Sequence, residues 1–362
     1  MTTRRDFLGR AGSLAGVVFC GCGLPAAAHA EKPAARLPVM VKGKRIKTID
    51  VHGHCYFQQA LDAAGLKVEN VIAPVKGIPD HFIVVEERLK LMDEKALDMQ
   101  FMSTNPFWYG LERDKAEATC KINNEKMAEL IAMKPDRFGG YAALALQFPD
   151  LAVTQLEHAV NKLGLRGAAI GGSVAGEDFS SRRFHPIWAK AEELGVVLFI
   201  HPATQPQLAQ RYKGNGWLSN TIGNPLDTTI ALQHLIFEGT LDKYPGLKVL
   251  AAHGGGFLPS YAMRGDHSCF VSPPNCDPSI VLKKKPSEYL NQLYFDSIVF
   301  SGEALRHLVA QVGASQIVIG TDSPIPWEMH PVDHVMGAPI SDKEKAEILG
   351  LNAAKLFGIK TA

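Results

Sequence analysis

Five side chains able to hold a metal ion stand at the ends of short apolar runs in this sequence. The first run closes on Asp50-Val51-His52-Gly53-His54. Residues two apart on a strand point the same way, so His52 and His54 can address one point. Val196-Val197-Leu198-Phe199-Ile200 leads into His201, Val249-Leu250-Ala251-Ala252 into His253 with three glycines behind it, and Gly320-Thr321 into Asp322. Neutral imidazoles with a carboxylate make a nitrogen-rich site for one divalent ion. Zinc suits such donors, with manganese or another first-row ion as the competitor. Such an ion lowers the pKa of a bound water from about 15.7 toward about 7, and a neighbouring imidazole can move a proton to or from it. Singly, each residue has a plainer use. His-x-His occurs on surfaces, a histidine after an apolar strand can sit satisfied in a core, and Gly-Thr-Asp can cap a turn. Their joint placement at four strand ends points to chemistry.

For these residues to meet, the runs that carry them must be strands of one sheet with their C-terminal ends together. The chain alternates short apolar runs with amphipathic stretches, as β/α units do. Strands are predicted at 47–51, 100–103, 138–144, 167–170, 196–200, 248–252, 293–296 and 316–319. Helices are predicted at 86–94, 116–134, 150–162, 185–194, 228–237, 301–312 and 343–357. Eight strands favour a closed (β/α)8 TIM barrel over an open sheet, and in a barrel the C-terminal strand ends converge on one pocket. Residues 56–80 and 266–286 fit neither pattern; long excursions of this kind cover active sites or meet partner subunits.

The N-terminal segment reads differently. Arg4-Arg5-Asp6-Phe7-Leu8, a mild apolar stretch over 14–24 and the small-x-small site Ala28-His29-Ala30 form a twin-arginine signal peptide over 1–30. The apolar stretch is too short to remain as a membrane anchor, and the residues around Cys20 and Cys22 make a poor lipidation site. The expected destination is the bacterial periplasm, reached by export of the folded chain. Residues 31–45, rich in Pro, Lys and Arg, read as a linker, leaving 46–362 for the barrel. A net charge of +1 over 362 residues gives no reason to expect nucleic acid or an anionic membrane as partner. Of the cysteines beyond the leader, Cys55, Cys120, Cys269 and Cys276, none has zinc-knuckle spacing, and Cys269 and Cys276 could pair in an oxidising compartment.

The motifs Asp-Val-His-Gly-His, Phe-Ile-His-Pro, Ala-Ala-His-Gly-Gly-Gly and Gly-Thr-Asp-Ser-Pro occur here in that order. With them come Pro135-Asp136-Arg137-Phe138, Tyr244-Pro245-Gly246-Leu247-Lys248 and the terminal Leu351-Asn352-Ala353-Ala354-Lys355-Leu356-Phe357. Together they resemble the amidohydrolase superfamily from Ile49 to the C-terminus, and within it the branch of aminocarboxymuconate semialdehyde decarboxylase and γ-resorcylate decarboxylase. The resemblance implies His52, His54, His201 and Asp322 as metal ligands and His253 as the catalytic histidine. It implies Arg264 as a substrate-carboxylate arginine able to reach a neighbouring subunit's site, the plainer reading being a solvated loop arginine. A homodimer with 266–286 at its interface follows from the same source. Binuclear relatives need a carboxylated lysine after strand four; here that strand runs Arg166-Gly167-Ala168-Ala169-Ile170-Gly171-Gly172, which implies a single ion. Trp108 and Tyr109 after strand two, and Trp327 and His330 after strand eight, are candidates to line the mouth, with Trp108 and Trp327 taken as substrate contacts. Asp296 is placed to orient a ligand from behind, and Arg88 reads as structural.

The resemblance implies a non-oxidative decarboxylase of a small aromatic or unsaturated carboxylic acid, with Asp322 or His253 delivering the proton to carbon. A hydrolase of a lactone, amide or related carbonyl compound would use the same ligands. A metal or ligand binder without turnover would keep them too, but would not need His253. One departure counts against the aminocarboxymuconate substrate itself: residues 55–87 contain no arginine, and their fixed cations are Lys67 and Lys76.

Overall fold

The structure, a computed structural model, describes residues 38–71, 75, 84–203 and 206–361. The expected leader and the first part of the linker lie outside the described residues. Residues 40–45, read above as linker, instead form a small antiparallel hairpin of Met40–Val41 with Lys44–Arg45. Val39, Val41 and Ile46 around it are buried against the core, because alternate apolar residues give one face something to cover.

Eight parallel strands follow: β1 Ile49–His54, β2 Met99–Ser103, β3 Phe138–Gly140, β4 Gly167–Ile170, β5 Val197–Ile200, β6 Lys248–Ala251, β7 Leu293–Asp296 and β8 Ile317–Val318. Strands β1 to β3 pair in sequence, as do β4 to β8. Two short seams join the sets into a ring. Between β3 and β4 the seam is a bridge of Ala142 with Ala168, and between β8 and β1 a bridge of Gly53 with Ser323. The second seam also carries Val51 N to Ile319 O at 3.0 Å and Asp322 N to His52 O at 2.9 Å. The eight predicted strands are therefore the eight observed. Helices cover the outside, which is why β1 and β2 are buried at every residue, on both faces, rather than at alternate ones.

The barrel interior is solid. Ile49, Val51, Phe101, Tyr141, Phe199 and Leu250 belong to one buried cluster. Phe357, from the last helix, Asn352–Phe357, closes its N-terminal end by stacking on Phe101 with ring centroids 4.1 Å apart. Asn352 fixes that helix by donating to the carbonyls of Ala314 and Ile317 at 2.7 and 2.8 Å. The terminal Leu-Asn-Ala-Ala-Lys-Leu-Phe motif is thus the floor of the barrel and its fastening.

Strand β1 carries a register shift between Asp50 and Gly53 against β2. An extra residue in one strand re-aims the side chains beyond it. Ile49 and Val51 therefore fill the interior while His52 and His54 still face the same cavity.

Helix boundaries agree with the pattern where apolar periodicity is clean, as at His185–Leu194. Elsewhere the structure differs, adding helices such as Gln58–Ala64 and Pro331–Gly337 to the expected set. The expected single helix over 343–357 is Asp342–Ala346, a π turn Glu347–Leu351 and Asn352–Phe357. A helix also runs over Leu258–Val271, entering the stretch left unassigned. Its Tyr261, Met263, Phe270 and Val271 are exposed, so its apolar residues circle the axis and give no amphipathic signal. The Cys269–Cys276 disulfide that follows is formed. Among the described residues no helix is long and apolar enough to cross a membrane.

Candidate active site

Four residues from three strand ends meet at the C-terminal mouth of the barrel. His52 and His54 end β1, His201 follows β5 and Asp322 follows β8; each offers one ligand atom, and these atoms all lie within 4.8 Å of one another. The Nε2 atoms of His52 and His54 are 3.0 Å apart, and His54 Nε2 lies 2.7 Å from Asp322 Oδ1. The three imidazoles stand nearly edge-on to each other, with interplanar angles of 83 to 89°. That arrangement turns ring nitrogens, rather than ring faces, toward a shared centre.

Supporting contacts fix which nitrogen points inward. His52 Nδ1–H donates to Asp296 Oδ2 at 2.7 Å. Ser103 Oγ donates to Gly53 O, so at 3.0 Å it accepts from His54 Nδ1–H. Both Nε2 atoms are thereby the ones turned toward a ligand. Asp296 also accepts the backbone N–H of His253 and of Gly254, each at 2.9 Å. His253 Nε2 comes within 3.8 Å of Asp322 Oδ2.

The electrostatics suit a cation. Burial disfavours charge on His52, yet the Asp322 and Asp296 carboxylates outweigh it and lift the ring to about 10. Burial lowers His54, and burial with the neighbouring imidazoles holds His201 well below its ordinary value. Burial opposes the charge of Asp322, but His52 and its hydrogen bonds keep it well below the usual carboxylate range. Neither ring nitrogen of His201 has a hydrogen-bond partner although the residue is buried. An orphaned buried polar group costs about 1–3 kcal/mol, so His201 is a donor without a recipient. The donor set, its convergence and this orphan all fit a divalent metal ion.

Backbone conformation marks the same place. His253 and Asp322 have φ of 55° and 59°, a left-handed region that non-glycine residues enter at a cost and that clusters at functional sites. The glycines after His253 make its turn possible: at Gly256, φ 65°, a Cβ would stand 2.1 Å from Pro225 O.

A cavity of about 320 Å³ opens above the four residues, lined among others by Tyr56, Asn105, Phe107, Trp217 and Asn224. Trp327 lies at the mouth beside it, ring-stacked on Trp217. Trp108 does not line it. The indole is fully buried, with Nε1–H donating to Leu144 O at 2.7 Å; the chain after β2 turns so that Phe107 faces the cavity and Trp108 the packing below. Tyr109 is likewise taken up, its hydroxyl accepting from Gly171 N at 3.2 Å, and His330 is exposed. Arg264 is exposed on helix Leu258–Val271 and stands outside its own chain's cavity. Arg88 is structural as read: its guanidinium donates to His54 O at 2.7 Å and Ser323 O at 3.2 Å, tying the two ligand-bearing loops. Two supports were not read from the sequence. Ser103 ends a strand, as the ligands do, which is the signal that could have found it. Lys95, whose Nζ donates to Ser323 Oγ at 3.0 Å, carries no such signal.

A closed parallel barrel with three imidazoles and a carboxylate gathered at its C-terminal face defines a metal-dependent barrel enzyme. The family model described as amidohydrolase matches residues 49–359, and the chain belongs to that family. It is 30% identical over 276 residues to 2-amino-3-carboxymuconate-6-semialdehyde decarboxylase of Dictyostelium discoideum, covering 75% of this chain and 76% of that protein. It is 32% identical over 290 residues to gamma-resorcylate decarboxylase of Rhodococcus jostii, covering 76% and 87%. Its fold is similar to that of dihydroxybenzoic acid decarboxylase from Polaromonas sp. JS666, solved with manganese and 2-nitroresorcinol, at a TM-score of 0.76 and 27% identity over 88% of this chain and 98% of that one.

Proposed function

We propose that this chain is a metal-dependent non-oxidative decarboxylase, a carbon–carbon lyase, of small hydroxylated aromatic carboxylic acids. The observation that carries the reading is the juxtaposition of His253 with Asp322 beside a convergent His52, His54, His201 and Asp322 set. The decarboxylases to which the chain is similar turn that arrangement into a reaction type.

His52, His54, His201 and Asp322 would hold one divalent ion, which supplies positive charge to the substrate's oxygens as negative charge develops. The nitrogen-rich donors favour zinc, and manganese, present in a similar structure, is the competitor. A single ion is supported at strand β4. The strand, Gly167–Ile170, and the residues after it, Gly171-Gly172, carry no lysine to bridge a second ion.

In the reaction the bond between ring carbon and carboxyl carbon breaks, CO2 departs, and the electron pair stays on the ring carbon, which takes a proton. Asp322 and His253 are the groups placed to hold and deliver that proton. Asp296 holds His253 through its backbone N–H, so the imidazole is positioned before substrate arrives.

Two further readings belong with this one. Exposed Tyr261, Met263, Phe270 and Val271 share a helix with Arg264, and exposed apolar side chains of that size support a homodimer in which Arg264 serves the partner's site. The twin-arginine leader over 1–30 supports a periplasmic destination. Fractionation of a cell expressing the full chain tests the latter.

The test of function is CO2 release by protein reconstituted separately with zinc and manganese, against hydroxybenzoates, carboxyvanillate-like acids and unsaturated dicarboxylates. Release from the hydroxybenzoates supports the reading. Cleavage of lactones or amides without any CO2 would replace it with a hydrolase.

A further inference from the structure

The site has an annex. A second cavity, of about 370 Å³, lies beside the first and shares His253 and Asn220 with it; Thr221, Pro225, Phe300 and Trp327 complete its walls. Apart from His253, none of these six residues is ionisable, and the Thr221 hydroxyl is already used, donating to Gly216 O at 3.1 Å. Trp327 stacks on Trp217 with centroids 5.6 Å apart and planes 18° from parallel, and Phe300 stands 6.1 Å from Trp327. The annex is an aromatic slot that opens at the catalytic histidine.

Its backbone is built at a cost. Among the described residues seven non-glycine positions have positive φ, and Trp217 at 49°, Phe300 at 59°, His253 and Asp322 are four of them. An aromatic side chain in the left-handed region is held there by its surroundings, and such positions gather at functional sites. Asn220 and Thr221 come from the π-helical turn Ser219–Gly223, another local irregularity that recurs at functional sites. The signature that marks the two chemical residues thus also marks the two aromatics that flank Trp327. Phe300, moreover, is left 56% exposed in spite of its size. Packing of the barrel does not explain an exposed phenylalanine in a strained conformation; contact with a ligand would.

We propose that the annex is a substrate subsite, and that the acid decarboxylated here carries a planar apolar substituent, of the size of a phenyl group, lodged against Phe300 and Trp327. This rests on the functional reading above for the position of the carboxylate end. The hydroxylated ring occupies the cavity over the metal ligands, and the substituent passes His253 into the annex. Each cavity alone is near the lower end of the size range of small-molecule sites, about 300–1,000 Å³. Used together they roughly double the space, so an acid with a second ring gains contacts there that a single-ring acid lacks.

The experiment uses the full chain, metal-reconstituted, with 2-hydroxybenzoate and its 4-phenyl and 5-phenyl derivatives as probes. Binding is followed by tryptophan fluorescence, and CO2 release is measured separately. One phenyl isomer is expected to bind at least about tenfold more tightly than 2-hydroxybenzoate and to quench the Trp217–Trp327 pair. In Phe300→Ala that ratio should collapse toward one. Equal binding of all three acids overturns the proposal, as does a ratio that survives Phe300→Ala. So does a Phe300→Ala protein whose oligomeric state changes while the ratio stands, since the aromatic face is then a subunit contact. A tight, quenching phenyl acid that releases no CO2 leaves the subsite in place and removes the decarboxylase reading. CO2 released alike from all three, with no binding preference, does the reverse.

Discussion

One carboxylate oxygen of Asp296, Oδ2, accepts both the Nδ1–H of His52 at 2.7 Å and the backbone N–H of His253 at 2.9 Å. A single buried side chain therefore orients a metal-ligand candidate and the proposed proton carrier together. Asp296→Asn should keep the shape and lose the charge. Loss of such a supporting partner costs about 10–100-fold in metal affinity or activity. We expect a drop in that range in competition with a chelator, and a larger drop in turnover because His253 is loosened too. Unchanged metal affinity would make Asp296 a purely structural anchor.

Metal uptake should release a proton. In the metal-free protein His52 is lifted to about 10, so at pH 7.5 it is charged, whereas His54 and His201 are shifted down and neutral and Asp322 is ionised. A ligand must be deprotonated to bind; only His52 has a proton to lose. Affinity should rise about tenfold per pH unit between pH 7 and 9. Calorimetry in buffers of different ionisation enthalpy should count about one proton released. The sign for stability without metal is opposite for the two partners. The His52 contribution is complete below its ordinary pKa and fades as pH rises toward about 10, while that of Asp322 is present above the ordinary 3.8 and fades as pH falls.

His253→Asn should separate binding from turnover. His253 stands 3.8 Å from Asp322 and outside the four-residue group, so the variant should retain one ion per chain. General acid–base groups contribute about 10²–10⁴-fold, and CO2 release should fall by that amount. Loss of the ion together with activity would make His253 a ligand.

Trp108→Phe tests the correction made at that residue. The indole N–H to Leu144 O bond is buried, and leaving that carbonyl unpaired costs about 1–3 kcal/mol. Denaturation of the metal-loaded protein should show this loss while KM stays unchanged. A raised KM with unchanged stability would return Trp108 to the substrate cavity.

Most of the barrel and its ligand set was legible because each relies on local pattern. Apolar runs ending in His52, His201, His253 and Asp322 announce a strand and its functional end at once. Trp108 and Phe107 were not separable, since adjacent residues in a loop differ only in which way the chain turns after β2. Helix Leu258–Val271 gives no helical signal because its exposed Tyr261, Met263, Phe270 and Val271 break the apolar stripe. The shift in β1 and the positive φ values at Trp217 and Phe300 leave no trace in residue type, since neither aromatic is one that tolerance of the left-handed region would suggest. Arg88 within a helix and Lys95 just past its end look like solvated cations in sequence, although both are buried against the β8 loop.

The thin pairing between β8 and β1 has a consequence for how the molecule is fastened. This is where the first and last strands meet, joined by a few backbone bonds rather than a ladder. His52 and His54 stand on one bank of that join and Asp322 on the other. An ion shared by the three is a clasp across the ring's opening, and the clasp can form only after nearly the whole chain has been made. Stripping the ion should release the two ends of the ring first, leaving the ladder of β4 to β8 to part later, in an order that hydrogen exchange can follow.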